Sequence, residues 1–305
     1  MAEFNDTATL SAAKSGVDTR AQRQASLSRI IVRVLIYAVT LTLGIMFMLP
    51  FLWTVSSAFK AVRELYIFPP TWFPENWQPQ NFVVIWQLVP FAQWTFNSVL
   101  VAGLNIIAEV IAAAAVAYGF SRFQFAGRNF LFVVLLSTMM LPIYVTIIPR
   151  FLLFRDLGWL DTLTPLVIPA FFGGSAFNIF LLRQFFMTIP RDFDEAAYVD
   201  GASSFTIFTR IIVPLSMPAL STVAIFSFLA SWNNFIEPLI YLNTSENFTL
   251  PLGLTWFRVV PMEQGEPRDH LLMAASVTFT LPAIILFFVA QRYFVRGIVM
   301  SGLKG

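Results

Sequence analysis

The sequence predicts an all-α integral membrane protein of six transmembrane helices, with both termini in the cytoplasm and a cytoplasmic loop between helices 4 and 5. Three observations predict it. Apolar residues make up 57% of the 305 and charged residues only 12%, against roughly 25% charged in an average soluble domain. Six runs, 34–58, 96–119, 129–149, 163–185, 215–240 and 271–291, each supply the roughly 20 apolar residues that cross about 30 Å of hydrocarbon. With the N-terminus inside, Lys14, Arg20, Arg23, Arg29, Arg33, Arg122, Arg128, Arg183, Arg191, Arg210, Arg292, Arg296 and Lys304 fall in inner segments. Lys60, Arg63, Arg150, Arg155, Arg258 and Arg268 fall in outer ones. That excess of cations fixes the expected orientation.

Composition also excludes. A net charge of +2 gives no reason to expect nucleic acid as a partner. With no cysteine and one histidine, His270, disulfides and Cys/His zinc sites are excluded and no metal site is expected. No cleavable signal is expected, because the first thirty residues are polar and the run after them is too long for a signal core.

Taken in order, residues 1–28 are rich in Ala, Ser, Thr and Gln without apolar periodicity, and are expected to be a disordered cytoplasmic tail; 29–305 form the membrane domain. Lys14-Ser15 is not a phosphate cradle, since no Gly-Lys pair occurs in the chain. After the first span, the outer segment 60–95 holds Pro69, Pro70, Pro74, Pro79 and Pro90 with Trp72, Trp77, Trp86 and Trp94, a composition suited to an interfacial lid. Trp53, Trp94, Trp159 and Tyr241 fall near span ends, as an aromatic belt would. Ala112–Ala115 in the second span, with Ala117 and Gly119, permit close helix approach.

The loop at about 187–214 is a polar island between apolar runs. Thr188 can cap a first short helix, with Asp192, Asp194 and Glu195 near its positive end. Gly201 suits the turn, Ser203 or Ser204 can cap a second helix, and Pro214 ends or kinks it. The last outer segment, 242–270, carries Glu246, Glu263, Gly265, Glu266, Pro267 and Asp269 and reads as a surface loop open to a soluble partner.

Glu195-Ala196-Ala197, then Gly201, then Ile211 and Pro214 resemble the EAA signature of ABC-importer permeases, with Val213 where the family has leucine. Asn97-Ser98, Trp232-Asn233-Asn234-Phe235 before Pro238-Leu239, and the tail Gln291–Gly297 with Gly302–Gly305 resemble carbohydrate-importer permeases of the maltose type, in particular the smaller subunit. The resemblance implies a permease subunit of an ATP-driven importer. By that resemblance it would form half of the path for a sugar or oligosaccharide delivered by an extracytoplasmic binding protein, in the plasma membrane of a prokaryote. It implies a heterodimer with a second permease and two cytoplasmic ATPase subunits that carry ATP and Mg, so this chain binds no cofactor and is not an enzyme. Asp194, Glu195, Ala196, Ala197, Asp200, Gly201, Ile211 and Pro214 are the implied ATPase-coupling residues.

Polar groups inside spans are costly and mark function. Asn105 and Glu109 share a face of span two, and Asn233, Asn234 and Glu237 are expected to share one of span five. Amides and carboxylates suit sugar hydroxyls, and Trp232 can stack on a sugar's C–H face. The alternative for these side chains is interhelical hydrogen bonding. No arginine falls mid-span, which argues against an anionic solute. The competing functions are a permease for another polar solute, or a secondary transporter moving protons through Glu109 and Glu237. No nucleophile–base constellation accompanies the acids.

Overall fold

A computed structural model describes residues 4–259 and 267–302, with side chains over 30–258 and 267–291. Glu263, Gly265, Glu266 and Lys304 lie outside the described residues. The chain divides into two units, 1–56 and 57–305. Among the described residues every regular element is helical.

The first unit is most of one helix, α1, Phe4–Ala58. It begins at Phe4, whereas composition predicts a tail without structure to residue 28. Ala8, Ala12, Ala13, Ala21 and Ala25, with Arg20, Gln22, Arg23 and Gln24, are good helix formers that extend a helix nucleated by the apolar run behind them despite the Ser and Thr among them.

The second unit starts with a folded segment, expected on the outer side from the sequence. A 3-10 turn at Val62–Tyr66 precedes α2, Asn81–Leu88. Lys60 is buried and its ammonium donates to the Thr71 carbonyl. Glu64 accepts from the backbone N–H groups of Glu75 (3.0 Å) and Asn76 (3.3 Å). Asn81 Nδ2 donates to the carbonyls of Ala58 (2.9 Å) and Lys60 (3.0 Å). The buried polar groups of Lys60, Glu64 and Asn81 are thus paired with backbone, which ties this proline-rich stretch together.

Then follow α3 (Phe91–Arg122), α4 (Arg128–Ser137), α5 (Ile143–Asp156), α6 (Thr164–Val167) and α7 (Ala176–Thr188). After them come α8 (Asp192–Val199), α9 (Ser204–Ile207), α10 (Val213–Leu215), α11 (Met217–Trp232), α12 (Ile236–Tyr241), α13 (Leu250–Leu254), α14 (Trp256–Val259) and α15 (Asp269–Gly302). Four stretches, Ile30–Ala58, Phe91–Arg122, Thr164–Thr188 and Asp269–Gln291, are long and apolar enough to cross a membrane. Two more are bent pairs: Arg128–Met140 with Ile143–Asp156 at 98°, and Ser204–Leu215 with Met217–Trp232 at 80°. Counting each pair as one span gives up to six.

The 98° bend corrects the straight span expected over 129–149, the 80° bend falls at the start of the one expected over 215–240, and prolines explain both. Leu141 is extended (φ −78°, ψ 117°) because Pro142 disfavours the helical region for the residue before it. Ser216 lies between Pro214 and Pro218, neither of which has an N–H to donate to the helix ladder. A further interruption separates α11 from α12. Pro238 cannot donate to the carbonyl of Asn234, four residues back, and the helix is open at 233–235.

α3 packs chiefly against α11 and α7. Ala113, Ala114 and Ala117 are nearly fully buried against Ile179, Leu182, Phe186, Ile212, Leu220 and Val223, so the alanine run does bring helices close. Trp94 and Tyr241, expected in an interfacial belt, are instead buried. The Trp94 Nε1–H finds the Ser245 carbonyl at 2.7 Å, which lets the indole leave the surface. A Cβ on Gly253 would sit 2.2 Å from its ring, so only glycine fits there.

Candidate functional site

A cavity of about 450 Å³ opens between α3, α5, the α6–α7 connection, α11 and the α11–α12 break. Its size is within the range of small-molecule sites. Asn105, Glu109, Asn234 and Glu237, all singled out in the sequence, line it, with Arg150, Asn178, Ser175, Ser227 and Ser231 added.

On one wall Glu109 faces the start of α7. Its Oε2 accepts from the Ser175 backbone N–H and from Asn178 Nδ2, both at 2.9 Å. A carboxylate there answers the unpaired N–H groups and positive end of a helix. Gly174 makes room: its φ is +65°, and a Cβ would lie 2.8 Å from Glu109 Oε2. Asn105 Nδ2 donates to the Leu166 carbonyl (3.0 Å) and to Ser231 Oγ (3.1 Å), tying α3 to α6 and α11.

On the opposite wall Arg150 Nη1 meets Glu237 Oε1 at 2.5 Å. Asn234 Nδ2 donates to Glu237 Oε2 at 2.8 Å, and Asn234 Oδ1 accepts the Glu237 backbone N–H at 3.4 Å. A charge taken from water is tolerated when paired and hydrogen-bonded, and this pair is both. Sequence reasoning assigned Arg150 to an outer segment and found no arginine mid-span; the 98° bend carries it into the cavity instead. Pro142 was the available signal.

Two expected path residues are elsewhere. Trp232 is buried, stacked between Phe228 (centroids 5.4 Å) and Phe279 (5.7 Å), with Nε1–H on the Phe279 carbonyl. It has no free face for a sugar. Asn233 is exposed, outside the cavity lining, and donates Nδ2 to the Leu229 carbonyl at 2.8 Å. The stripe expected on one helix face is split by the break at 233–235.

At the far end of α3, α7 and α11 the polar loop folds as a knob. α8 ends at Gly201 (φ +79°), where the Ala202 N–H reaches the Ala197 carbonyl (2.9 Å) and the Gly201 N–H that of Tyr198 (3.0 Å). This is a Schellman closure, open chiefly to glycine. Ser203 caps α9 through the Thr206 N–H at 3.2 Å. Thr188 does not cap α8; its hydroxyl donates back to the Phe185 carbonyl inside α7. A single π turn, Phe208–Ile212, leads into α10 with Pro214.

Asp194 turns inward to Arg122, Nε to Oδ2 at 3.2 Å, and Tyr118 OH donates to the Ser204 carbonyl at 3.1 Å. These contacts fasten the knob to α3. Glu195, Ala196, Asp200, Gly201 and Pro214 are exposed, while Ala197 and Ile211 pack on the core. Val199 and Phe205, 88% and 73% exposed, give the knob an apolar surface beside its acids.

A clasp between 161 and 243–250 completes the picture. Asp161 (φ 58°) accepts from the Asn243 and Thr244 N–H groups (2.9 and 2.8 Å), from the Thr244 hydroxyl and from Asn247 Nδ2. These bonds, Thr244's first, hold its carboxyl well below the usual carboxylate range. Asn97 Nδ2 donates to the carbonyls of Glu246 and Phe248, and Ser98 Oγ accepts the Leu250 N–H.

Residues 110–300 match the family described as the binding-protein-dependent transport system inner membrane component. The probable ABC transporter permease protein YurM of Bacillus subtilis (strain 168) is 37% identical over 257 residues, covering 84% of this chain and 83% of that protein. The arabinooligosaccharides transport system permease protein AraQ of the same organism is 37% identical over 215 residues, covering 70% and 74%. Among solved structures, a bacterial ABC transporter involved in the import of the acidic polysaccharide alginate superposes with a TM-score of 0.76 at 24% identity, covering 86% of this chain and 97% of that one. The fold is therefore shared.

Proposed function

The chain belongs to the family of binding-protein-dependent transport system inner membrane components, and on that premise we propose that it is one permease half of an ATP-driven sugar or oligosaccharide importer. The cavity holding Asn105, Glu109, Asn234 and Glu237 is its share of the solute path. The knob of α8–α10 is the surface on which a cytoplasmic ATPase docks. A second permease completes the path, two ATPases bear ATP and Mg, and an extracytoplasmic binding protein delivers the sugar. Both termini lie in the cytoplasm, and the membrane is the plasma membrane of a prokaryote.

One observation carries the reading. α7 and α11 each reach the polar cavity at one end and the knob at the other, and α3 runs from the cavity at its middle to the knob at its C-terminal end, with a buried apolar cluster between. From Asn105 to Arg122 on α3 is about 25 Å at 1.5 Å per residue. A push on the knob is thereby delivered to the cavity walls through packed helices rather than through loops. Sugar as the solute draws on AraQ, whose name specifies arabinooligosaccharides, and on a lining of amides, hydroxyls and carboxylates suited to polyols. Proton-coupled transport is less well supported. Glu109 is committed to the start of α7 and Glu237 to Arg150.

The test is uptake into proteoliposomes bearing the whole complex, with its binding protein and a panel including arabinotriose and maltotriose. Accumulation that requires internal ATP is expected. Accumulation driven by a proton gradient without ATP would overturn the assignment.

A further inference from the structure

Among the described residues, Arg150 is the one cation lining the cavity, set against two carboxylates, Glu109 and Glu237. A guanidinium in a partly desolvated pocket is a strong receptor for any carboxylate. Here that position is already filled. Glu237 Oε1 is 2.5 Å from Arg150 Nη1, and its other oxygen and its backbone N–H are both held by Asn234. The side chains of Arg150 and Glu237 retain only 31% and 15% of their exposure, so solvent screens the pair weakly. Glu109 leaves an excess of negative charge on the lining, facing the positive end of α7.

We propose that the Arg150–Glu237 pair is a charge filter, in which Glu237 occupies the place a solute carboxylate would take and keeps the path selective for neutral over anionic sugars. The functional meaning of the filter rests on the cavity being the sugar path. Its electrostatics do not. A solute bearing a uronate must displace Glu237, which Asn234 anchors, and then meet the freed carboxylate of Glu237 and the carboxylate of Glu109. A neutral polyol meets only hydrogen-bonding groups.

Because the chain has no cysteine, a single thiol reports the local potential. Ala230 lines the cavity, and Ala230→Cys supplies the thiol; Ser231→Cys is a second position. In the full complex in nanodiscs, the rates of modification by an anionic ethylsulfonate methanethiosulfonate and by its cationic trimethylammonium counterpart are read on this chain by intact mass. The wild-type pair should favour the cationic reagent. Glu237→Gln should shift the ratio roughly tenfold toward the anionic reagent, Arg150→Gln should shift it the other way, and the double variant should restore it, as expected for one unit charge at close range. A ratio unmoved by either single variant overturns the filter. Separately, complete modification of Cys at 230 should block ATP-dependent maltotriose or arabinotriose uptake; unblocked uptake would overturn the path while leaving the charge result standing.

Discussion

Gly174 is glycine for two reasons that act together. Its φ of +65° disfavours any L side chain, and a Cβ would press on Glu109 Oε2 at 2.8 Å. Gly174→Ala should cost about 1–3 kcal/mol and push Glu109 off the start of α7, seen as a lower melting temperature of the purified complex. Asp161 tolerates its positive φ because Asp and Asn enter the left-handed region more readily than other residues. Its carboxyl pKa is depressed in the fold, so its contribution is present above the unfolded value near 3.9 and lost only as pH falls through the lower folded value. The melting-temperature difference between wild type and Asp161→Asn should therefore be the same at pH 5 and pH 8. Asp161→Val, which adds a β-branch at positive φ and removes the acceptors, should be the more damaging of the two at either pH.

At the scale of elements, the knob was the most legible part of the chain. Its turn glycine, its serine cap and its proline are local signals, and the backbone uses Gly201, Ser203 and Pro214 as their chemistry dictates. Gly201→Asp should strain the Schellman turn by about 1 kcal/mol or more and misplace both short helices. The inserted variant should then lose ATPase co-purification or substrate-stimulated hydrolysis. Asn233 and Trp232 were misplaced because i, i+3, i+4 spacing holds only on an unbroken helix, and Pro238 opens the helix at 233–235. Arg150 was missed for the same kind of reason at Pro142. Both prolines were in view, but what each does to the backbone depends on packing that no local pattern carries. The correction changes a prediction. Asn234→Ala should lower transport per assembled complex several-fold, by losing a hydrogen-bond partner of about 0.5–1.5 kcal/mol, whereas Asn233→Ala should leave it within about twofold.

Across the whole molecule, hydropathy was enough for the membrane class, since hydrocarbon leaves a chain few ways to satisfy its backbone. It was not enough for the bends, one of which divides the run expected over 129–149 into angled halves while the other falls at the start of 215–240. The orientation follows from arginine and lysine counts alone and is open to a direct check. A reporter active only in the cytoplasm should signal when inserted near Ser203 and stay silent near Glu246; the reverse pattern would remove the knob from the reach of any ATPase. The buried alanines of α3 give the proposed coupling between knob and cavity a physical route. Three helices that touch this closely move together or not at all.

The π turn at Phe208–Ile212 has a consequence for chain length. A π turn carries one residue more than an α turn, and it absorbs that residue as a bulge while the flanking helices keep their phase. Deleting exposed Thr209 should therefore close the bulge and leave Phe205 and Pro214 facing as they do now. Deleting Thr222 from regular α11 would instead rotate everything beyond it by about 100° and turn Val223 out of the core.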